Sequence, residues 1–324
     1  LQNQADASSP HPADTQAAAF QLPKMPLVVH EARDRLLARS TVAYSTEVAK
    51  NERNWLLTAD MRWLPQDRVR AYPKILFKGV ELGKEAELPI ALFRTRDRPK
   101  YVRRERGEFV EAPKPWPRLS WVALSGESVE AQGRVFLKSK SGDEYLAKQD
   151  AVMPVPRAFT PWGARVGEQD KTGKAPPGRA TWIEASVRGG WLIAFEGTKP
   201  VYATLISAGL GGTPTSGKSA LETASTPTGR FLISGKFATA TMAAPNEFIH
   251  TEVPWTQNFS GPHALHAAYW HNDWGDLKSG GCVNVSPIDG RWLFQFTEPE
   301  LPQGWHGVRW LPKLGPATTF IVHE

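Results

Sequence analysis

Short apolar runs separated by Gly, Pro, Asp and Ser turns dominate this chain, and sustained helical periodicity is nearly absent. In the first half, runs at 74–78, 119–124, 133–138 and 145–147 read as strands, with polar turns such as Ser139-Lys140-Ser141-Gly142-Asp143 between them. In the second half Trp182-Ile183-Glu184-Ala185-Ser186-Val187 alternates, and Gly189-Gly190 supplies a two-residue turn because paired glycines accept positive φ. The run 191–195 returns, Gly197-Thr198-Lys199-Pro200 turns again, and 201–207 forms a third strand, making a β-meander. One helix start stands out. Ser286 can cap it, Pro287 suits the first helical position and Asp289 completes a capping box. Ile288, Trp292 and Phe296 then share a face that should anchor the preceding loop against the core.

The expected architecture is mostly β. A tether at 1–25, rich in Ala, Gln, Ser, Asp and Pro without periodicity, precedes a β-rich module at 26–156. A polar, proline-rich connector at 157–180 leads to a second domain at 181–324. Length and composition agree: 324 residues suit about two domains, and 41% hydrophobic with 22% charged is ordinary globular material. No apolar run approaches the ~18 residues of a membrane-spanning helix, and no basic-then-apolar leader opens the chain.

The net charge of +6 is partly local, with seven basic and three acidic residues between 94 and 108. Phe93, Tyr101 and Phe109 interleave with the basic positions, as a nucleic-acid surface would require. Charge runs are more commonly solvated loops or hairpins, so no nucleic-acid partner is expected. Attraction of the basic segment 94–106 to an anionic polymer is the other reading.

Cys282 is the only cysteine, which excludes an internal disulfide. It sits in Ser279-Gly280-Gly281-Cys282-Val283-Asn284, with His266 sixteen residues upstream. Adjacent glycines free the backbone to bring N–H groups close to a carbonyl, and a nearby imidazole can take the thiol proton. These residues, with Leu265-His266-Ala267-Ala268-Tyr269-Trp270 and the upstream Thr226-Pro227-Thr228-Gly229-Arg230-Phe231, resemble the L,D-transpeptidase (YkuD-type) family over roughly residues 180 to 324. Where that family has His before Gly-Cys, this chain has Gly280. The stretch from Gly133 to Leu146 also resembles a bacterial SH3-like wall-binding module.

The resemblance implies a β-sandwich catalytic domain with a few short helices, and no cofactor. It implies that Cys282 attacks a peptidoglycan stem tetrapeptide, forms a thioester and passes it to an amine acceptor. His266 would be the base, with its second ring nitrogen held by the Ala267 carbonyl. Backbone N–H groups at Gly280, Gly281 and Cys282 would hold the oxyanion, while Ser279 and Asn284 orient the loop. Tyr269, Trp270 and Trp274 would form a substrate-facing wall, with core packing as their alternative role. Two other readings stay open: a degenerate module that binds wall peptides without turnover, and a cysteine hydrolase cutting stem-peptide linkages. The resemblance also implies a periplasmic or extracellular envelope location.

Three further motifs need weighing. Gly212 to Ser219 matches the phosphate-loop pattern G-x-x-x-x-G-K-[ST] but lacks a following helix of useful length, so a substrate-lining loop is expected instead. His263 and His271 lie near enough in sequence to reach a cleft rim, whereas His250 and His306 are expected to be surface or structural. The histidines with Asp273 and Asp276 match no zinc-ligand spacing, and no metal is expected.

Overall fold

The computed structural model describes residues 36–244, 248–312 and 315–324. The expected tether at 1–25 lies outside the described residues. Strands β1 (Tyr44–Lys50), β2 (Arg53–Thr58) and β3 (Trp63–Pro65) form a small antiparallel sheet. After β4 (Val80–Glu81) come β5 (Ile90–Leu92), β6 (Tyr101–Arg103), β7 (Phe109–Glu111), β8 (Trp121–Ala131), β9 (Arg134–Ser139) and β10 (Glu144–Ala147). These six form one sheet in the order β5-β8-β9-β10-β6-β7. Phe109 stacks on Phe136 at 4.0 Å, and Tyr101 and Tyr145 pack edge-on around them.

The C-terminal half contains β11 (Thr181–Ser186), β12 (Trp191–Glu196), β13 (Lys199–Leu205), β14 (Gly229–Leu232), β15 (Gly235–Ala244), β16 (Phe248–Ser260), β17 (His263–Ala267) and β18 (Val283–Val285). Helix α1 (Pro287–Phe296), β19 (Gly307–Arg309) and β20 (Thr319–His323) complete it. Two sheets result, ordered β14-β20-β11-β12-β13-β4 and β18-β17-β16-β15-β19. Between them lies a core of Ile183, Leu192, Ile206, Leu265, Val283, Val285, Leu293 and Phe320. The fold is mostly β, as the apolar pattern predicts.

The first of these sheets is covered on both faces. Ile75, Phe77, Val80, Leu82, Ile90, Leu92 and Val152 pack with Trp182, Trp191, Ile193, Phe195 and Trp274. All six residues of β11 are therefore buried, although its sequence alternates; double coverage removes the solvent face that alternation implies. Glu184 tolerates burial because it accepts from Arg157 N (3.1 Å) and pairs with His323 (3.2 Å). Coverage also crosses the connector at 157–180: β4 pairs with β13 (Tyr202↔Glu81, Ala203↔Val80).

Several local expectations change. Residues 74–78 form no strand; Ile75 and Phe77 are buried, while Leu76 is 72% exposed and joins no sheet. The turn after β11 spans four residues, since Ser186 pairs with Trp191, whereas Gly197-Thr198 makes the two-residue turn between Glu196 and Lys199. On α1, Ile288 faces solvent at 40% exposure, and the buried face is Asp289, Gly290, Leu293, Phe294 and Phe296. Only half of the capping box forms. Ser286 Oγ accepts from Asp289 N at 3.0 Å, but the Asp289 carboxylate turns away to accept from Gly79 N (2.7 Å), Tyr202 OH (2.7 Å) and Thr204 Oγ1 (2.6 Å).

Asp289→Ala removes the acceptor of those three buried donors, leaving Thr204 Oγ1 only a long 3.4 Å bond to Leu205 O. At about 1–3 kcal/mol per orphaned group, the expected loss is on the order of 3 kcal/mol or more. Urea unfolding of the variant beside the parent measures it; a loss under about 1 kcal/mol refutes the tie.

Candidate active site

The site is built on the parallel pair β17–β18, whose register sets Leu265 beside Val283, His266 beside Asn284 and Ala267 beside Val285. Side chains alternate along a strand. Leu265, Val283 and Val285 accordingly enter the inter-sheet core, and His266 and Asn284 share the opposite face. Extending the alternation back one step puts Cys282 on that face too, opposite Ala264, whose backbone hydrogen-bonds to the thiol. Helix α1 follows at once and packs tightly on β17. A Cβ on Gly290 would lie 2.8 Å from Ala267 Cβ, so this approach needs glycine.

His266 is 2% exposed, and its Nδ1 lies 3.1 Å from the Ala267 carbonyl oxygen. A carbonyl only accepts, so Nδ1 carries the proton and Nε2 remains the basic nitrogen. Burial drives His266 down to about 4; the Ala267 bond opposes this, and nearby His250 and His271 add to it. Cys282 is half-buried, and burial pushes its thiol above the ordinary range against the Ala264 bond. Both shifts favour neutral forms. The resting site is a thiol beside a neutral imidazole rather than a thiolate–imidazolium pair.

The loop before the cysteine is held by its own serine. Ser279 Oγ accepts from Gly281 N (3.1 Å) and donates to Cys282 O (2.5 Å). The Gly281 N–H is thus already bonded, while expectation had it facing a substrate oxyanion. Gly281 has φ +124°, and a Cβ there would sit 2.7 Å from Ser225 O and 2.8 Å from the His263 ring. Ser225 directly precedes the Thr226-Pro227 element, which explains why that separated motif accompanies the cysteine loop. Gly280 differs: it is exposed, and a side chain there would enter open space.

Trp270 is the hub of an aromatic cluster, with His250 stacked at 4.2 Å, Tyr269 at 5.0 Å and His266 at 5.8 Å. Tyr269 OH donates to Thr251 O (2.8 Å) and meets Thr41 Oγ1 (2.9 Å), which also lies 2.9 Å from His250 Nδ1. Trp274 does not face substrate. It is fully buried, stacks on Phe77 and donates to Asn272 Oδ1 at 2.7 Å. His263 is buried beneath Gly281, with Nδ1 on Ser260 O at 3.1 Å. His271 reaches the site face, its Nε2 3.2 Å from Asn284 Nδ2. His250 belongs to the cluster, and His306 is exposed.

The N-terminal module grips the loop carrying His271. Arg94 donates to Gly275 O (2.5 Å), and Arg118 donates to Asn272 O and lies 3.9 Å from Asp273. The sequence reads the arginine-rich run as a solvated loop or hairpin, with attraction to anionic polymers as the other reading; only the fold brings Arg94 to this loop. The phosphate-loop lookalike is a turn-rich connection between β13 and β14 with no helix after it. It borders the cysteine loop, since Leu210 N donates to Ser279 O at 2.9 Å. Among the described residues, no group of three His, Cys, Asp or Glu is arranged to hold a metal ion.

A cysteine and a histidine on one face of a parallel strand pair, the histidine oriented by a carbonyl, define a thiol–imidazole site suited to acyl transfer. The family model of YkuD, the L,D-transpeptidase catalytic domain, matches residues 162–309. No curated protein matches. Similar solved structures include an L,D-transpeptidase from Mycobacterium smegmatis (13% identity, 88% of this chain and 94% of that one, TM-score 0.32). A mutant Enterococcus faecium L,D-transpeptidase is similar at 15% identity, over 68% of this chain and 94% of that one, with TM-score 0.32. The Xylanimonas cellulosilytica L,D-transpeptidase is similar at 20% identity, over 44% of this chain and 60% of that one, with TM-score 0.30. An L,D-transpeptidase from Stackebrandtia nassauensis is similar at 20% identity with TM-score 0.30, and this chain spans only 60% of the Xylanimonas structure and 62% of the Stackebrandtia one.

With both groups neutral at rest, iodoacetamide alkylation of Cys282 should rise continuously from pH 6 to pH 9, without the neutral plateau of an ion pair (about pH 5–7). A plateau there refutes the neutral pair. His266 also contributes to stability. Its folded pKa lies below the ordinary 6.5, so between 6.5 and about 4 the unfolded chain binds the proton the folded chain refuses. Stability is complete above pH 6.5 and is lost as pH falls toward 4, by on the order of 3 kcal/mol. Thermal melts of the parent and His266→Gln across that window check the sign: the parent should lose more.

Proposed function

We propose that the chain is a peptidoglycan L,D-transpeptidase acting in the cell envelope through a Cys282 thioester. The observation that carries this reading is His266, bonded through Nδ1 to Ala267 O, on the same sheet face as Cys282 within the segment matching the YkuD family.

In this mechanism Cys282 Sγ attacks the carbonyl joining the third and fourth residues of a stem tetrapeptide. Its proton passes to His266 Nε2. The tetrahedral intermediate collapses as His266 returns that proton to the departing amine of the terminal D-alanine, leaving the thioester. An incoming stem-peptide amine then attacks the thioester carbonyl, His266 takes the amine's proton, and the proton returns to sulfur as the new amide forms. Because Gly281 N–H is bonded to Ser279, the amides of Gly280 and Cys282 are the loop donors for the oxyanion, at about 2.7–4 kcal/mol each in well-studied hydrolases. Tyr269 and Trp270 are the aromatic wall nearest the histidine. The basic residues between 94 and 106 that are not held internally would attract anionic wall polymers.

Binding without turnover is the second reading, favoured by Gly280, which brings no imidazole into the site. Its open surroundings make Gly280→His sterically free. Intact-mass measurement after incubation with a carbapenem separates the two readings. The parent should gain one adduct, Cys282→Ala none, and His266→Ala should react about 10²–10⁴ times more slowly. An adduct on Gly280→His but none on the parent refutes the enzyme reading in favour of wall-peptide binding.

A further inference from the structure

The cleft holds a donor–acceptor conflict whose resolution assigns a role to His271. Its Nδ1 accepts from Asp273 N at 3.3 Å. A neutral imidazole has one N–H, so with Nδ1 accepting, Nε2 must carry it. Nε2 nevertheless faces Asn284 Nδ2 at 3.2 Å, donor against donor. Meanwhile Asn284 Oδ1 is buried without a partner, and Asn284 is 2% exposed. Amide oxygen and nitrogen are exchanged by a half-turn about the last side-chain bond. That turn lets His271 Nε2–H donate to Asn284 Oδ1, and the unpartnered position becomes an NH₂ group.

The surroundings hold both groups still. The backbone of Asn284 exchanges two 2.8 Å hydrogen bonds with buried Ser207. Ser207 Oγ donates to Asp273 O at 2.9 Å, fixing the residue whose N–H meets His271. Gly275 N donates to Ile206 O at 2.9 Å, and the His271 ring lies 4.5 Å from buried Trp274. Burial also keeps His271 neutral, at about 4.

We propose that His271, as its Nε2–H tautomer, fixes the Asn284 amide so that its NH₂ serves the face shared with Cys282 and His266, where it donates to a carbonyl oxygen of the bound peptide. The ligand in this inference rests on the acyl-transfer reading above. His271 is a positioning residue; Asn284 is the group that meets substrate. The arginines of the N-terminal module act on this pair through the loop at 272–276.

The test has two arms on the full chain. Nitrogen-15 NMR of the parent, with His271 assigned by its loss in His271→Gln, should show the Nε2–H tautomer; an Nδ1–H tautomer overturns the proposal whatever the activity. In the second arm, His271→Leu should slow carbapenem acylation of Cys282 by about 10- to 100-fold while changing iodoacetamide alkylation less than about twofold. His271→Gln, whose amide can still donate to Asn284, should recover most of the acylation rate. Asn284→Ala should match His271→Leu, and the double variant should lose no more. Acylation at the parent rate in His271→Leu, or an equal fall in alkylation, overturns the proposal. A parent that alkylates but never acylates refutes the acyl-transfer reading and the carbonyl ligand together, and the tautomer still decides the pairing.

Discussion

The buried Asp289 carboxylate is the tie on which the site depends. It accepts from Gly79 in the N-terminal half, from Tyr202 and Thr204 on β13, and belongs to the first turn of α1. An unpaired buried carboxylate would be costly; three donors and the positive end of a helix offset that cost. Burial still raises its pKa, with the hydrogen bonds opposing. Because α1 begins four residues after β18 begins, fixing the helix start fixes the strand, and the strand register fixes where Cys282 and Asn284 point. The thiol is positioned by a carboxylate that has no part in its chemistry.

What could be read from the sequence was whatever depends on near neighbours. The β-meander, the Ser286 cap and the placing of Cys282 and His266 on one sheet face follow from local patterns and a motif whose parts lie within tens of residues. Contacts made over long separations were not legible. Trp274 resembled a cleft aromatic because it lies eight residues from the cysteine, yet Phe77, nearly two hundred residues upstream, covers it. Ile288 seemed part of the buried helix face because a 3.6-residue period does not say which way the face turns. The second half of the capping box failed for a related reason: Tyr202, Thr204 and Gly79 compete for the same carboxylate.

The histidines show the difference between a motif and its surroundings. His266 was found because a motif names it. His271 and His250 carry no motif, and their importance comes from Trp270, Asn284 and Thr41, which the fold gathers around them. A signal did exist for His271, since a histidine five residues after His266 and eleven before Cys282 must lie on the connecting loop. Sequence could not reveal that both its nitrogens meet polar partners.

The N-terminal region is part of the site's support rather than a module carried beside it. Its apolar residues cover one whole face of the sheet that contains β11, β12 and β13, and β4 completes that sheet's edge. Thr41 bonds into the Tyr269–His250 pair, and Arg94 and Arg118 hold the loop of His271. Removing these residues would expose Trp182, Ile193 and Phe195 to water and leave β13 as an open edge, a combination that favours aggregation over an independent domain. The family match begins at residue 162 and ends at 309, yet β4 before it and β20 after it complete the same sheet. The physical unit that positions the cysteine is therefore larger than the segment that the family model matches.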